Sequence, residues 1–202
     1  MSQPVLFGAC YSVYSRIVRL VLAEKGVPYT LHDIDIFSEH GLSNDYKRRH
    51  PFARIPAFEH DGFCLYESGA IVRYIDEAFP GPKLMPQSIE ECARVNQIIG
   101  ILDSYAYRCW VWDIYVEEDN DKITKALTLA ETCLSAIEEL MTGDVCFIGN
   151  DVTLADLYAL PMVAYLYKKQ QGQGVLDNHP RWLKWRQWIN QRPCVVATEF
   201  KV

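Results

Sequence analysis

Residues 80–82 read Pro-Gly-Pro, and the hydrophobic pattern of the chain changes character across them. Neither a helix nor a strand runs comfortably through two prolines and a glycine in succession. Met85-Pro86 lengthens the break. Before it, short strand-like runs alternate with helical ones. Beyond it strand signals vanish, and the periodic stretches repeat at three and four residues. Two domains are therefore expected, 1–80 and 88–202, joined by a linker over 81–87.

In the first half, Val5-Leu6-Phe7 reads as a buried strand. Over 13–25 the residues Ile17, Leu20 and Val21 recur at helical spacing, and Gly26 with Pro28 ends that helix. The stretch 29–36 alternates as a second strand, and 38–49 is a polar loop with room for one helical turn. Residues 57–59 and 63–66 form strands around His60-Asp61-Gly62, whose Asp-Gly step is a hairpin signal. Ser68 is read as the cap of a helix running to Phe79. This order, βαβ then ββα, is an α+β, thioredoxin-like layout on a mixed four-stranded sheet. The second half has helical period over 89–112, 122–141, 154–167 and 182–190. It reads as an all-α helical bundle.

The chain of 202 residues carries a net charge of -6. That balance argues against a nucleic-acid surface or a polybasic membrane contact. No apolar run approaches the roughly 18 residues of a membrane span. Met1-Ser2-Gln3-Pro4 does not begin a basic-then-apolar leader, so no export signal is expected. The seven cysteines are odd in number and form no CxxC or Cys/His zinc pattern. They read as free thiols in a reducing cytoplasm, with no metal site.

Three segments carry candidate chemistry. Cys10 to Arg16 join the first strand to the first helix. A hydroxyl there either caps the helix or donates to an anion, and both the dipole and a hydrogen bond would lower the pKa of a thiol held at that spot. Arg54-Ile55-Pro56 enters the third strand. A cis bond before Pro56 would turn the Ile55 backbone groups outward toward a peptide-like ligand; a trans bond makes it an ordinary strand-entry proline. Glu67-Ser68 opens a helix. Together they offer an acceptor for an ammonium and donors for a carboxylate, the pair of charges on an α-amino acid head group; equally they make a capped helix with an exposed acid. A fourth segment, Thr153 to Asp156, is a capping box and has no chemical role.

In order and spacing these segments resemble the cytosolic glutathione transferase superfamily, bacterial-type and serine-class-like, over essentially the whole chain. The resemblance rests on Ser12 with Arg16, on Arg54-Ile55-Pro56 as the V/I-P turn, on Glu67-Ser68-Gly69-Ala70-Ile71 as the E-S-x-A-I motif, on the Pro-Gly-Pro linker and on the capping box. It implies a homodimeric enzyme with a detoxification role. Such an enzyme binds glutathione as co-substrate and conjugates its sulfur to small apolar electrophiles. It also implies site residues: Ser12 donating to the thiolate, Glu67 and Ser68 on the γ-glutamyl end, and Ile55 beside Pro56 as the backbone clamp. Arg54 stands where Gln or Lys is usual, His40 lies in the loop of the glycyl-carboxylate ligand, and Asp103 reaches the partner's glutathione. An acceptor pocket of Tyr11, Tyr14, Tyr107, Trp110 and Tyr115 is expected. Counted as an α-helix, 105, 108 and 112 share one side, and 107, 110 and 111 another. The chain departs from the family at Ala53, usually Gly, and at His50, usually Asn. Tyr11, Tyr14 and Cys10 stand as alternative activating groups. A non-catalytic relative, or a peroxidase, isomerase or dehalogenase chemistry, stands as the alternative function.

Overall fold

The computed structural model describes residues 2–39 and 41–199. The chain divides into two compact units, one holding the residues up to Pro82 together with the segment from Pro193 onward, the other Lys83–Arg192. The C-terminal segment therefore does not complete the helical domain, as the 88–202 boundary expected. Its helix α9 (Pro193–Ala197) packs on the first helix of the first unit.

The first unit is built on four strands, β1 (Val5–Gly8), β2 (Thr30–Asp33), β3 (Ala57–His60) and β4 (Phe63–Tyr66). Their order in the sheet is β2-β1-β3-β4, with β1 and β2 parallel and the other neighbours antiparallel. Helix α1 (Val13–Glu24) buries Ile17, Val18, Leu20, Val21 and Leu22, an apolar stripe too wide for a surface strand. Gly26 follows at φ 67, the left-handed conformation that ends a helix. Helix α2 (Asn44–Arg49) fills the stretch read as a loop, because Ser43 caps it and Asp45 sits in its first turn. Asp61 and Gly62, at φ 50 and 80, make the two-residue turn between β3 and β4. His60 is therefore the last ladder residue, paired with Phe63, and not part of the turn.

Helix α3 (Ser68–Ala78) packs on α1. Lys25 Nζ donates to the carbonyl oxygens of Asp76 (3.1 Å) and Pro82 (2.9 Å). One buried ammonium thus fixes the end of α3 and the start of the proline-rich break.

The second unit contains α4 (Ile89–Ile101), α5 (Asn120–Leu140), α6 (Leu154–Lys168), α7 (Gln170–Leu176) and α8 (Pro180–Ile189). Helix α6 is buried nearly all round, which a central helix requires. Its capping box is closed: the Thr153 N–H and hydroxyl both donate to Asp156 Oδ2, at 2.8 and 2.7 Å. Phe147 N and Trp185 Nε1 donate to Asp156 Oδ1, each at 2.9 Å, so the box also ties down a loop and α8.

Beyond α4 the helix widens. Leu102–Ala106 and Arg108–Val116 are π-helical. Side chains there align at i and i+5: Trp112 Nε1 donates to the Tyr107 hydroxyl at 3.1 Å, and Arg108 Nε to Asp113 Oδ1 at 2.7 Å. The α-helical register expected for 105–112 is therefore wrong.

Candidate active site

The sheet register gathers the sequence-selected residues of the first unit at one end. Phe7 pairs with Ala57, and Ala57 with Tyr66. The chain leaves β1 toward Ser12 at the edge where it enters β3 from Ile55-Pro56 and leaves β4 into Glu67-Ser68. The parallel partner β2 delivers the loop from Ile34 to Phe37 to that same edge. Ala9, Tyr46, Ile55 and Ala57 form the buried floor, with Tyr11, Ile34 and Ile36 packed against it.

Ser12 is the N-cap of α1, and its Oγ accepts from Ser15 N at 3.2 Å. A hydroxyl has two acceptor lone pairs and one hydrogen, so this cap leaves the hydrogen to donate. Capping and donation to an anion are compatible. No acidic residue stands in the first turn of α1. Ser15 is fully buried, and its Oγ accepts from Ala9 N at 3.3 Å. That hydroxyl occupies the space a side chain at Gly8 would need, so glycine is required where β1 ends.

The Ile55–Pro56 peptide is cis. The Arg54 carbonyl accepts from the buried Tyr46 hydroxyl at 2.6 Å, which anchors the approach to it. Ala53 sits at φ 53, in the left-handed region where glycine is comfortable.

Glu67 is held at φ 69 and ψ 112, unfavourable for any residue with a Cβ. It occupies the N-cap position of α3, and its side chain makes no cap hydrogen bond. Ser68 is therefore the first helical residue and not the cap, and it is buried. The Glu67 carbonyl accepts from Ala70 N and Ile71 N, each at 3.0 Å, and the residue is exposed. Strained backbone of this kind concentrates at ligand sites.

Tyr11 packs its ring 5.9 Å from Phe37. Burial, then the nearby Asp35 carboxylate, hold that phenol above its ordinary pKa, so it stays protonated. Tyr14 lies half-buried on the first turn of α1, and Cys10 half-buried in the turn before it. Burial pushes the Cys109 thiol to about 12, and Cys133 and Cys146 each to about 11, which makes them inert. His40 lies outside the described residues.

The remaining candidates belong to the second unit. Asp103 is exposed and accepts from the buried Tyr158 hydroxyl at 2.9 Å, which fixes its carboxylate. Tyr107 is tied to Trp112 as above. Tyr115 packs edge-on against Tyr165 with ring centroids 4.8 Å apart. Trp110 is fully buried, its ring edge-to-face with Trp182 at 5.9 Å. It is a core residue and lines no open pocket, contrary to the expectation. The residue not selected from the sequence is Phe37, 68% exposed beside Tyr11, because the alternation of 29–36 ends before it; Trp112, which belongs to the aromatic cluster that the sequence offers, is 41% exposed. Among the described residues no group of three or more His, Cys, Asp and Glu could hold a metal ion, and no helix is long and apolar enough to cross a membrane.

Two family models match the chain, the glutathione S-transferase N-terminal domain over 6–83 and its C-terminal domain over 101–193. The rat maleylacetoacetate isomerase is 30% identical over 168 residues, covering 80% of this chain and 77% of that protein. The chain belongs to the glutathione S-transferase family. It is a family enzyme with glutathione as co-substrate. A second relative, the stringent starvation protein A homolog of Haemophilus ducreyi, is 31% identical over 78% of this chain and 72% of its own length. Among solved structures, glutathione transferase F7 from Populus trichocarpa superposes with a TM-score of 0.86 at 27% identity, over 96% of this chain and 97% of that one. The thioredoxin-like and all-helical architecture expected from the sequence is thus that of the family.

Proposed function

We propose that this protein activates the glutathione thiol through Ser12 and transfers the sulfur to small apolar electrophiles. The observation that carries the reading is the Ser12 hydroxyl: it caps α1 with its oxygen and keeps its hydrogen for an anion at a helix N-terminus. A thiolate there is stabilised, the thiol proton passes to solvent, and the sulfur attacks the electrophilic carbon, forming the C–S bond as the carbon–halogen bond of an aromatic halide breaks and halide leaves with its electron pair. Glu67 accepts from the γ-glutamyl ammonium, while Ser68 and the first-turn N–H groups of α3 receive its carboxylate. The strained, uncapped start of α3 supports this. Ile55 offers its backbone to the cysteinyl residue, with Arg54 beside it. Tyr11 with Phe37 is the aromatic surface that the first unit offers the electrophile.

We further propose a cytoplasmic homodimer in which Asp103 contributes to the partner's glutathione site. Phe52 and Phe63, each more than half exposed, are the kind of apolar surface that assembly covers. Retention on immobilised glutathione together with turnover of an aromatic halide tests the transferase reading. The rat relative favours a second one, a glutathione-dependent isomerisation. Isomerisation regenerates glutathione, so turnover of maleylacetoacetate without glutathione consumption would select it.

A further inference from the structure

Ser15 is the third residue of α1 and the one hydroxyl on its buried face. A serine inside a helix competes with the helix for hydrogen bonds and is normally turned to water. This one is fully buried. Its Oγ accepts from Ala9 N at 3.3 Å, and Ala9 is itself buried. Its own backbone N donates to Ser12 Oγ at 3.2 Å. Ser12 N in turn donates to the Ala9 carbonyl at 3.1 Å. The three bonds close a ring through Ala9, Ser12 and Ser15, with the Cys10-Tyr11 turn clamped between them.

The ring is braced from β1. A Cβ added at Gly8 would meet the Ser15 hydroxyl, and would lie 3.0 Å from Ser15 Cβ and 3.6 Å from Pro56 Cβ. The Gly8 carbonyl accepts from Ile34 N at 3.0 Å. Helix α1, the entry to β3 and the exit from β2 thus meet at the end of β1 with no room for a side chain. The Ser15 hydroxyl is packed on that side while its oxygen holds Ala9.

We propose that Ser15 is a positioning residue for the Ser12 hydroxyl. This rests on the reading of Ser12 as the thiol activator. Through its backbone N–H, Ser15 occupies an acceptor lone pair of Ser12 Oγ, which leaves the Ser12 hydrogen to point away from α1. Through its own oxygen it holds the turn that carries Ser12. A hydrogen bond weakens steeply with misalignment, so the thiolate is stabilised only while that turn keeps its place. Ser15→Ala keeps the first contact and deletes the second. Ala9 N is then left buried without its acceptor, a state costly enough to move the turn, and Ser12 moves with it.

The thiolate absorbance of the protein saturated with glutathione decides it. It is followed against pH as a difference from ligand-free protein, in wild type, Ser12→Ala, Ser15→Ala and the double variant. Ser15→Ala should hold about threefold to tenfold less thiolate near neutral pH than wild type. In the Ser12→Ala background the same substitution should change the thiolate less than about twofold, because the group it positions is gone. Ser15→Cys keeps the space filled but accepts weakly, and should move the thiolate in the same direction. Full thiolate in a folded Ser15→Ala, or in Ser15→Cys where only that variant folds, would overturn the proposal and make Ser15 a packing residue. Equal losses in both backgrounds would overturn it too, since Ser15 would then act by a route other than Ser12. A wild-type titration in the single Ser12→Ala variant would refute the Ser12 reading itself, and the positioning role with it.

Discussion

Lys25 Nζ lies 3.1 Å from Asp76 Oδ1, with both side chains fully withdrawn from water. A buried pair of this kind is weak evidence of net stabilisation, but removing one member is costly. Lys25→Met should destabilise the protein by about 3–5 kcal/mol, lowering Tm by roughly 10 °C. Pairing it with Asp76→Leu should recover most of that loss. Calorimetric melts of the single and double variants check this; a mild Lys25→Met would show that the ammonium is dispensable to the end of α3.

Glu67 offers a test in which stability and binding move in opposite directions. Glu67→Gly relieves the backbone at φ 69 and deletes the carboxylate. Relief of strain outweighs or matches the entropy glycine costs, so stability should hold or rise by up to about 2 kcal/mol. Glutathione affinity should fall about tenfold or more, the loss of one charge-assisted hydrogen bond. Urea unfolding and calorimetric titration read the two effects separately. Unchanged affinity would remove Glu67 from the binding site.

Burial holds the His50 imidazole below its ordinary value of 6.5. The unfolded chain accepts that proton near 6.5 while the folded chain resists it. Stability from this group is therefore complete above 6.5 and is lost as pH falls through that value. His50→Asn should flatten the stability curve between about pH 7 and about pH 5. Unfolding midpoints over that range check it, and parallel curves would assign the acid sensitivity to other groups.

Much of this was legible in the sequence because local signals agreed with tertiary demands. The stripe of Ile17, Leu20 and Val21, the glycine stop at Gly26, the Asp61-Gly62 turn and the Thr153–Asp156 box each stand where the pattern put them. Glu67, Ser68 and the Ile55-Pro56 step converge because one strand register aligns them. What escaped had a non-local cause. The π register of 102–116 breaks any count made at 3.6 residues per turn, so Tyr107 meets Trp112 and Trp110 turns into the core. The short helices α7 and α9 lack a long enough period to show. The return of α9 to α1 is a tertiary choice that no local pattern encodes.

The central claim is that the Ser12 hydroxyl stabilises a thiolate. The direct measurement is the ultraviolet absorbance of the bound thiolate in the binary glutathione complex near neutral pH, in wild type and in Ser12→Ala. Loss of the cap should cost the variant only about 1 kcal/mol of stability, so it should fold and bind glutathione. Loss of a hydrogen bond to the charged form should shrink its thiolate population roughly 10- to 150-fold, with turnover falling in parallel. A Ser12→Ala complex with the thiolate absorbance of wild type would contradict the account.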